Sequence, residues 1–169
     1  MKFPPGKIIL LDEFDDFEVN SEKWIGNYFR IAGKLIYHSM SKNLAVIEQN
    51  VKYTTDKEKQ CDDQPHNNVK TRKCFLIVDT KLVEDEPYIE GKIVEFLGLL
   101  INDNISDSKF CQLPQKIKEM ITTDTCVQRK SFPLLEARIF RMVDFMDMNL
   151  YQEVVNIRNK HEQEELIYN

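Results

Sequence analysis

The stretch from Tyr28 to His38 constrains this chain more than any other. Phe29, Ile31, Leu35 and Tyr37 alternate with Tyr28, Arg30, Lys34 and His38, the period of two expected of a half-buried strand. Gly33 interrupts the alternation at its middle. A glycine inside a strand marks a bulge or sharp bend, the device that lets one long strand serve both halves of a small barrel.

Four further runs extend this pattern. The polar connection Ser39-Met40-Ser41-Lys42-Asn43 leads into Leu44–Gln49. Phe75-Leu76-Ile77-Val78 is apolar on both faces and therefore central, Lys92–Ile101 carries its own glycine at Gly98, and Leu134–Asp144 is the fifth run. Strands and helices do not alternate, which excludes a doubly wound sheet. The expected class is all-β with flanking helices: a five-stranded OB-fold Greek-key barrel with a C-terminal α-helix.

At 169 residues the chain has room for one domain, residues 1–169. An N-terminal arm, 1–23, carries the apolar run Lys7–Leu11 and then the acidic patch Asp12, Glu13, Asp15, Asp16 and Glu18, with Phe14 and Phe17 as anchors. Residues 54–73 are polar apart from Val69 and predict a mobile loop. Lys81–Glu90 has room for a short helical turn. An insertion, 102–130, holds a short helix over Pro114–Ile121, where Ile117, Met120 and Ile121 share a face. The tail, 149–168, changes to a helical period: Leu150, Val154, Ile157 and His161 recur at i, i+4, i+7 and i+11, with Asn149 as N-cap.

Composition narrows the function. With 23 basic and 28 acidic residues the formal charge is −5, which argues against coating nucleic acid by bulk charge. The four cysteines form no Cys-x-x-Cys pair, and Lys2, Pro4, Pro5 and Gly6 break any apolar leader, so a reducing compartment is expected. Ile93–Ile101 falls far short of the ~20 residues of a membrane span.

Three stretches carry a family resemblance: Gly33-Lys34-Leu35-Ile36-Tyr37-His38, Asp79-Thr80-Lys81-Leu82-Val83-Glu84, and Ala137-Arg138-Ile139 running through Asp144 to Met148-Asn149-Leu150. Together with Pro5-Gly6-Lys7-Ile8-Ile9-Leu10 they resemble the small OB-fold subunit, the Ten subunit, of the telomeric CST complex. The Asn-, Lys-, Ile- and Gln-rich composition is compatible with a protist, telomerase-associated member. The resemblance implies a nuclear protein at the chromosome end, without catalytic activity or cofactor. It implies a heterodimer with the middle (Stn) subunit, assembly with the large subunit, and contacts to telomerase and polymerase alpha-primase. Single-stranded telomeric DNA is then bound mainly through the complex. The alternatives are a stand-alone single-stranded DNA or RNA binder and the smallest subunit of replication protein A.

The candidate residues follow. A narrow seam of Leu150, Val154, Ile157 and His161 either caps the barrel or packs against a partner helix, with Met146 and Met148 as deformable packing beside it. The resemblance favours the partner. Direct nucleic-acid contact needs cations for phosphates and aromatics for bases. Tyr28, Arg30, Lys34, Tyr53, Lys70, Arg72, Lys73 and Lys81 are the candidates, none in a dense cluster. The acidic patch lacks the distant carboxylates of a two-metal nuclease. Cys61, His66 and Cys74 lack a fourth ligand at zinc-knuckle spacing, so no metal is expected. His38, His66 and His161 fall on different elements without a nucleophile signature.

Overall fold

A computed structural model describes residues 6–17, 20–54, 69–104, 108–124 and 131–167. Within these residues the strands are β1 (Lys7–Ile8), β2 (Tyr28–Ser39), β3 (Leu44–Thr54), β4 (Val69–Asp79), β5 (Ile93–Asn104) and β6 (Ser131–Met142). The α-helices are α1 (Ser21–Trp24), α2 (Gln115–Asp124) and α3 (Met148–Ile167).

The long alternating strand is the one that changes partner. Tyr28–Lys34 of β2 run antiparallel to β5, whereas Lys34–Ser39 run antiparallel to β3. The sheet continues β3-β4-β6-β5 and returns to β2, which closes a five-stranded barrel. The β4–β6 pair is parallel and the other barrel pairs are antiparallel. The five expected barrel strands are therefore present. The sixth, β1, belongs to the N-terminal arm and pairs parallel with β2 through Lys7 and Ile8.

Both strand glycines sit where backbones crowd. A Cβ on Gly33 would lie 2.9 Å from the Glu48 carbonyl oxygen and 3.2 Å from Ile47 Cβ. A Cβ on Gly98 would overlap the Glu136 carbonyl oxygen and lie 3.0 Å from Ala137 Cα, at an irregularity in the β5–β6 register. In β2 the register shift falls between Leu35 and Tyr37, not at Gly33. This corrects the expected faces: Phe29, Ile31 and Leu35 fill the barrel, whereas the shift sends Ile36 and Tyr37 to a second apolar cluster.

That division runs through the whole molecule. One cluster fills the barrel, where the arm contributes Ile9, Leu11, Phe14 and Phe17, and Trp24 of α1 packs edge-on to Phe14 at 5.2 Å. The other lies outside the sheet, where Leu44, Val46, Ile77, Phe132 and Leu134 meet Leu113, Ile117 and Ile121. This explains the run Phe75–Val78: Leu76 and Val78 face inward while Ile77, partnered by Phe75, faces α2.

Several boundaries differ from expectation. Antiparallel pairing joins Leu44–Thr54 to Asp79–Val69 without a break, so residues 69–73 are strand and not loop. Backbone hydrogen bonds carry a ladder through polar residues as readily as apolar ones, which is why composition hid this extension. Residues 55–68 of the predicted loop lie outside the described residues. The predicted insertion begins three residues too early, because β5 reaches Asn104, and its helix is Gln115–Asp124. Residues 81–91 form turns without a helix, held by the Tyr88 hydroxyl donating to the Val83 carbonyl at 2.8 Å.

Candidate functional site

Helix α3 begins on Asp147, whose Oδ1 accepts the N–H of Asn149 at 2.9 Å and of Leu150 at 3.3 Å. Asp147, not Asn149, is thus the cap, placed one residue before the helix, where its carboxylate also faces the positive end of the dipole. One face of the helix is docked. Val155 is buried, Gln152 Nε2 donates to the Asn50 carbonyl of β3 at 2.8 Å, Arg158 donates to the Ile8 carbonyl of β1, and Asn159 Nδ2 donates to Glu13 Oε1 at 3.1 Å. Tyr151 shares this face. Burial, and next the nearby Glu95 carboxylate, push its phenol up to about 12.

The predicted seam lies on a different side. Leu150, Val154 and Ile157 are 59%, 56% and 52% exposed, and His161 is also exposed. Capping of the barrel falls to Tyr151, Val155 and Arg158, whose spacing is also i, i+4, i+7. Met146 and Met148 are half-buried at the junction from β6, where Met146 N–H donates to the Val143 carbonyl at 2.8 Å. Phe145, beside them, is wholly exposed, and Met142 is 42% exposed. Phe145 is not singled out by sequence, because a lone aromatic in a connecting turn has no period. Ile157 also borders a cleft of about 360 Å³ shared with Leu10, Asp12, Val51 and Lys52. In that cleft burial raises the Asp12 carboxyl above its ordinary value, against its own backbone hydrogen bond.

The nucleic-acid candidates do not form one surface. Tyr28, Arg30 and Lys34 lie on β2, with Tyr28 and Arg30 on the segment paired to β5. Arg30 Nε approaches Glu95 Oε1 at 3.9 Å, an oxygen that also accepts Arg141 Nη2 at 2.9 Å. Tyr53 and Lys70 are register partners at the far end of the β3–β4 ladder. Close to them, Arg72 is bonded to Asp15 of the arm, and Lys73 Nζ lies 3.1 Å from Glu48 Oε2. Lys81 stands beyond Asp79, at the opposite end of β4, roughly 30 Å away at 3.3 Å per residue. Burial of Arg72 opposes its charge, but the hydrogen bond it donates to Asp15 leads the group of effects that raise its pKa overall.

Two members of the acidic patch, Glu13 and Asp15, are used within the chain. Glu13 Oε1 accepts the Leu10 N–H at 2.9 Å as well as Asn159, and Asp15 holds Arg72. Cys74 is buried in the barrel, while Cys61 and His66 lie outside the described residues. Among the described residues no group of three His, Cys, Asp or Glu side chains is placed to hold a metal ion. Nor is any described helix long and apolar enough to cross a membrane.

Comparison with known proteins adds independent findings. A family model described as a telomere-capping, CST complex subunit, Ten1_2, matches residues 2–165. No curated protein matches. The fold is similar to a chain in the crystal structure of the S. pombe Stn1-ten1 complex, with a TM-score of 0.50 at 11% identity over 94% of this chain and 96% of that one. The telomere capping protein Ten1 from Saccharomyces pombe gives a TM-score of 0.48 at 11% identity over 92% of this chain and 98% of that one.

Proposed function

The chain belongs to the family of telomere-capping CST complex subunits, and from that premise we propose that it is a non-catalytic subunit that stabilises the middle (Stn) subunit by heterodimer formation. The observation that carries this reading is the exposed seam of α3. A helix already docked by Tyr151, Val155 and Arg158 leaves Leu150, Val154 and Ile157 in water. Burying the exposed half of each would contribute roughly 1 kcal/mol in a well-packed contact. His161 continues the seam at the same spacing, and Met146, Met148 and the exposed Phe145 stand at the junction beside the start of the helix. Nuclear localisation at the telomere and support of telomerase regulation and of fill-in synthesis by polymerase alpha-primase follow from the same assembly.

DNA contact is assigned chiefly to the partner subunits. Arg30, Arg72 and Lys73 are engaged by this chain's own carboxylates, and the net charge is −5. The chain's contribution is then architectural.

Val154→Glu and Ile157→Glu test the seam. Both positions are more than half exposed, so the barrel should remain folded while co-purification with the middle subunit is lost, since a carboxylate would enter a desolvated contact. Complex formation at wild-type level on gel filtration, by a variant with wild-type circular dichroism, would remove α3 from the interface.

A further inference from the structure

Helix α2 lies on the barrel face that OB-folds give to single-stranded nucleic acid. That face is formed by the second and third barrel strands and bordered by the loop joining strands one and two and the loop joining strands four and five. In this chain those strands are β3 and β4, and the loops are residues 40–43 and 105–130. Leu44 and Val46 of β3 and Ile77 of β4 point outward there and are covered by Leu113, Ile117 and Ile121, all six of them buried. Phe110 and Phe132 stack on each other at 4.4 Å and 13°, so neither presents that ring face to a base.

Polar contacts fasten this cover at its edges. Lys42 Nζ donates to the Gln112 carbonyl at 2.6 Å, which ties the two bordering loops together across the face. Lys109 pairs with Asp79 of β4 at 3.0 Å. The buried Asp103 carboxylate accepts from Ser108 Oγ at 2.9 Å, Lys109 N–H at 3.0 Å and Phe110 N–H at 3.1 Å, which fixes the segment leading into α2. Two lysines at the borders of the face are thereby committed to protein acceptors.

We propose that the α2 segment is a fixed occupant of the oligonucleotide face of this barrel, so that single-stranded nucleic acid in the assembled complex runs over other surfaces. This goes beyond the α3 assignment and does not depend on it.

The test combines amide exchange and photocrosslinking on the full chain and, in parallel, on its purified telomeric complex. The probe is a thymidine oligonucleotide of about 15 nucleotides, near the upper site size of one OB-fold, carrying 4-thiothymidine. Exchange of the α2 amides and of Leu44–Val46 should stay within about twofold on adding oligonucleotide, and no crosslink should map to Tyr37, Val46, Phe75 or Ile77. A crosslink to any of these four residues, or acceleration of α2 exchange beyond that margin, would overturn the proposal. Absence of binding by the chain alone agrees with a closed face, whereas absence of binding by the complex would overturn the proposed path of nucleic acid over its other surfaces. Loss of complex formation in the α3 variants leaves the measurement on the chain alone unaffected.

Discussion

At the scale of single residues, what matters most is how closely backbones approach. Gly98 has no Cβ because the Glu136 carbonyl occupies that space, and the register of β5 against β6 shifts at that point. Gly98→Ala should therefore force the two strands apart and lower stability by about 1–3 kcal/mol, the usual range for overpacking, read as a fall in melting temperature. An unchanged melting temperature would show that the ladder opens there freely. Both interior glycines stood out in the sequence as places where a barrel bends. The bulge near Gly33 was legible only approximately, since the glycine marks that the strand bends while the alternation of Leu35 and Tyr37 hides the register shift that falls between them. Phe145 was not legible at all. Its full exposure depends on the path of the chain between β6 and α3.

At the scale of elements, α3 illustrates both what sequence carries and what it omits. Two stripes at helical spacing run along it, one of Leu150, Val154 and Ile157 and one of Tyr151, Val155 and Arg158. The first is more apolar and draws attention, yet the second docks, because Arg158 and Gln152 find backbone carbonyls on β1 and β3 that no local pattern reveals. Docking has a titratable mark. The Tyr151 phenol is pushed from its ordinary 10 up to about 12, so the folded chain favours the neutral form. Its stabilising contribution is complete below pH 10 and is lost as pH rises through about 12. Tyr151→Phe cannot ionise, and urea titrations should show it losing less stability than wild type across that interval. Parallel pH profiles would place Tyr151 outside the docked face. The existence of α2 was likewise legible from Ile117, Met120 and Ile121, whereas its position over β3 and β4 follows from barrel closure, a non-local property.

At the scale of the molecule, the charge of −5 and the engagement of Arg30, Arg72 and Lys73 by carboxylates predict weak binding by the isolated chain. Fluorescence anisotropy with a G-rich oligonucleotide should give a dissociation constant weaker than about 1 μM at ~150 mM salt, the range of non-specific binding. Tighter, steeply salt-dependent binding would instead favour a stand-alone nucleic-acid binder. The contact of Arg158 with Ile8, and of Asn159 with Glu13, ties the last helix to the first strand across about nine-tenths of the sequence. Such distant closure raises contact order and slows folding. During synthesis strands β1 to β6 emerge before α3 does, so a ribosome-bound chain can close its barrel while its helix is still unseated. The partner surface proposed on α3 is thus completed only after the barrel strands have emerged, and a partner that recognised it would at the same time read out that β1 has already found its place.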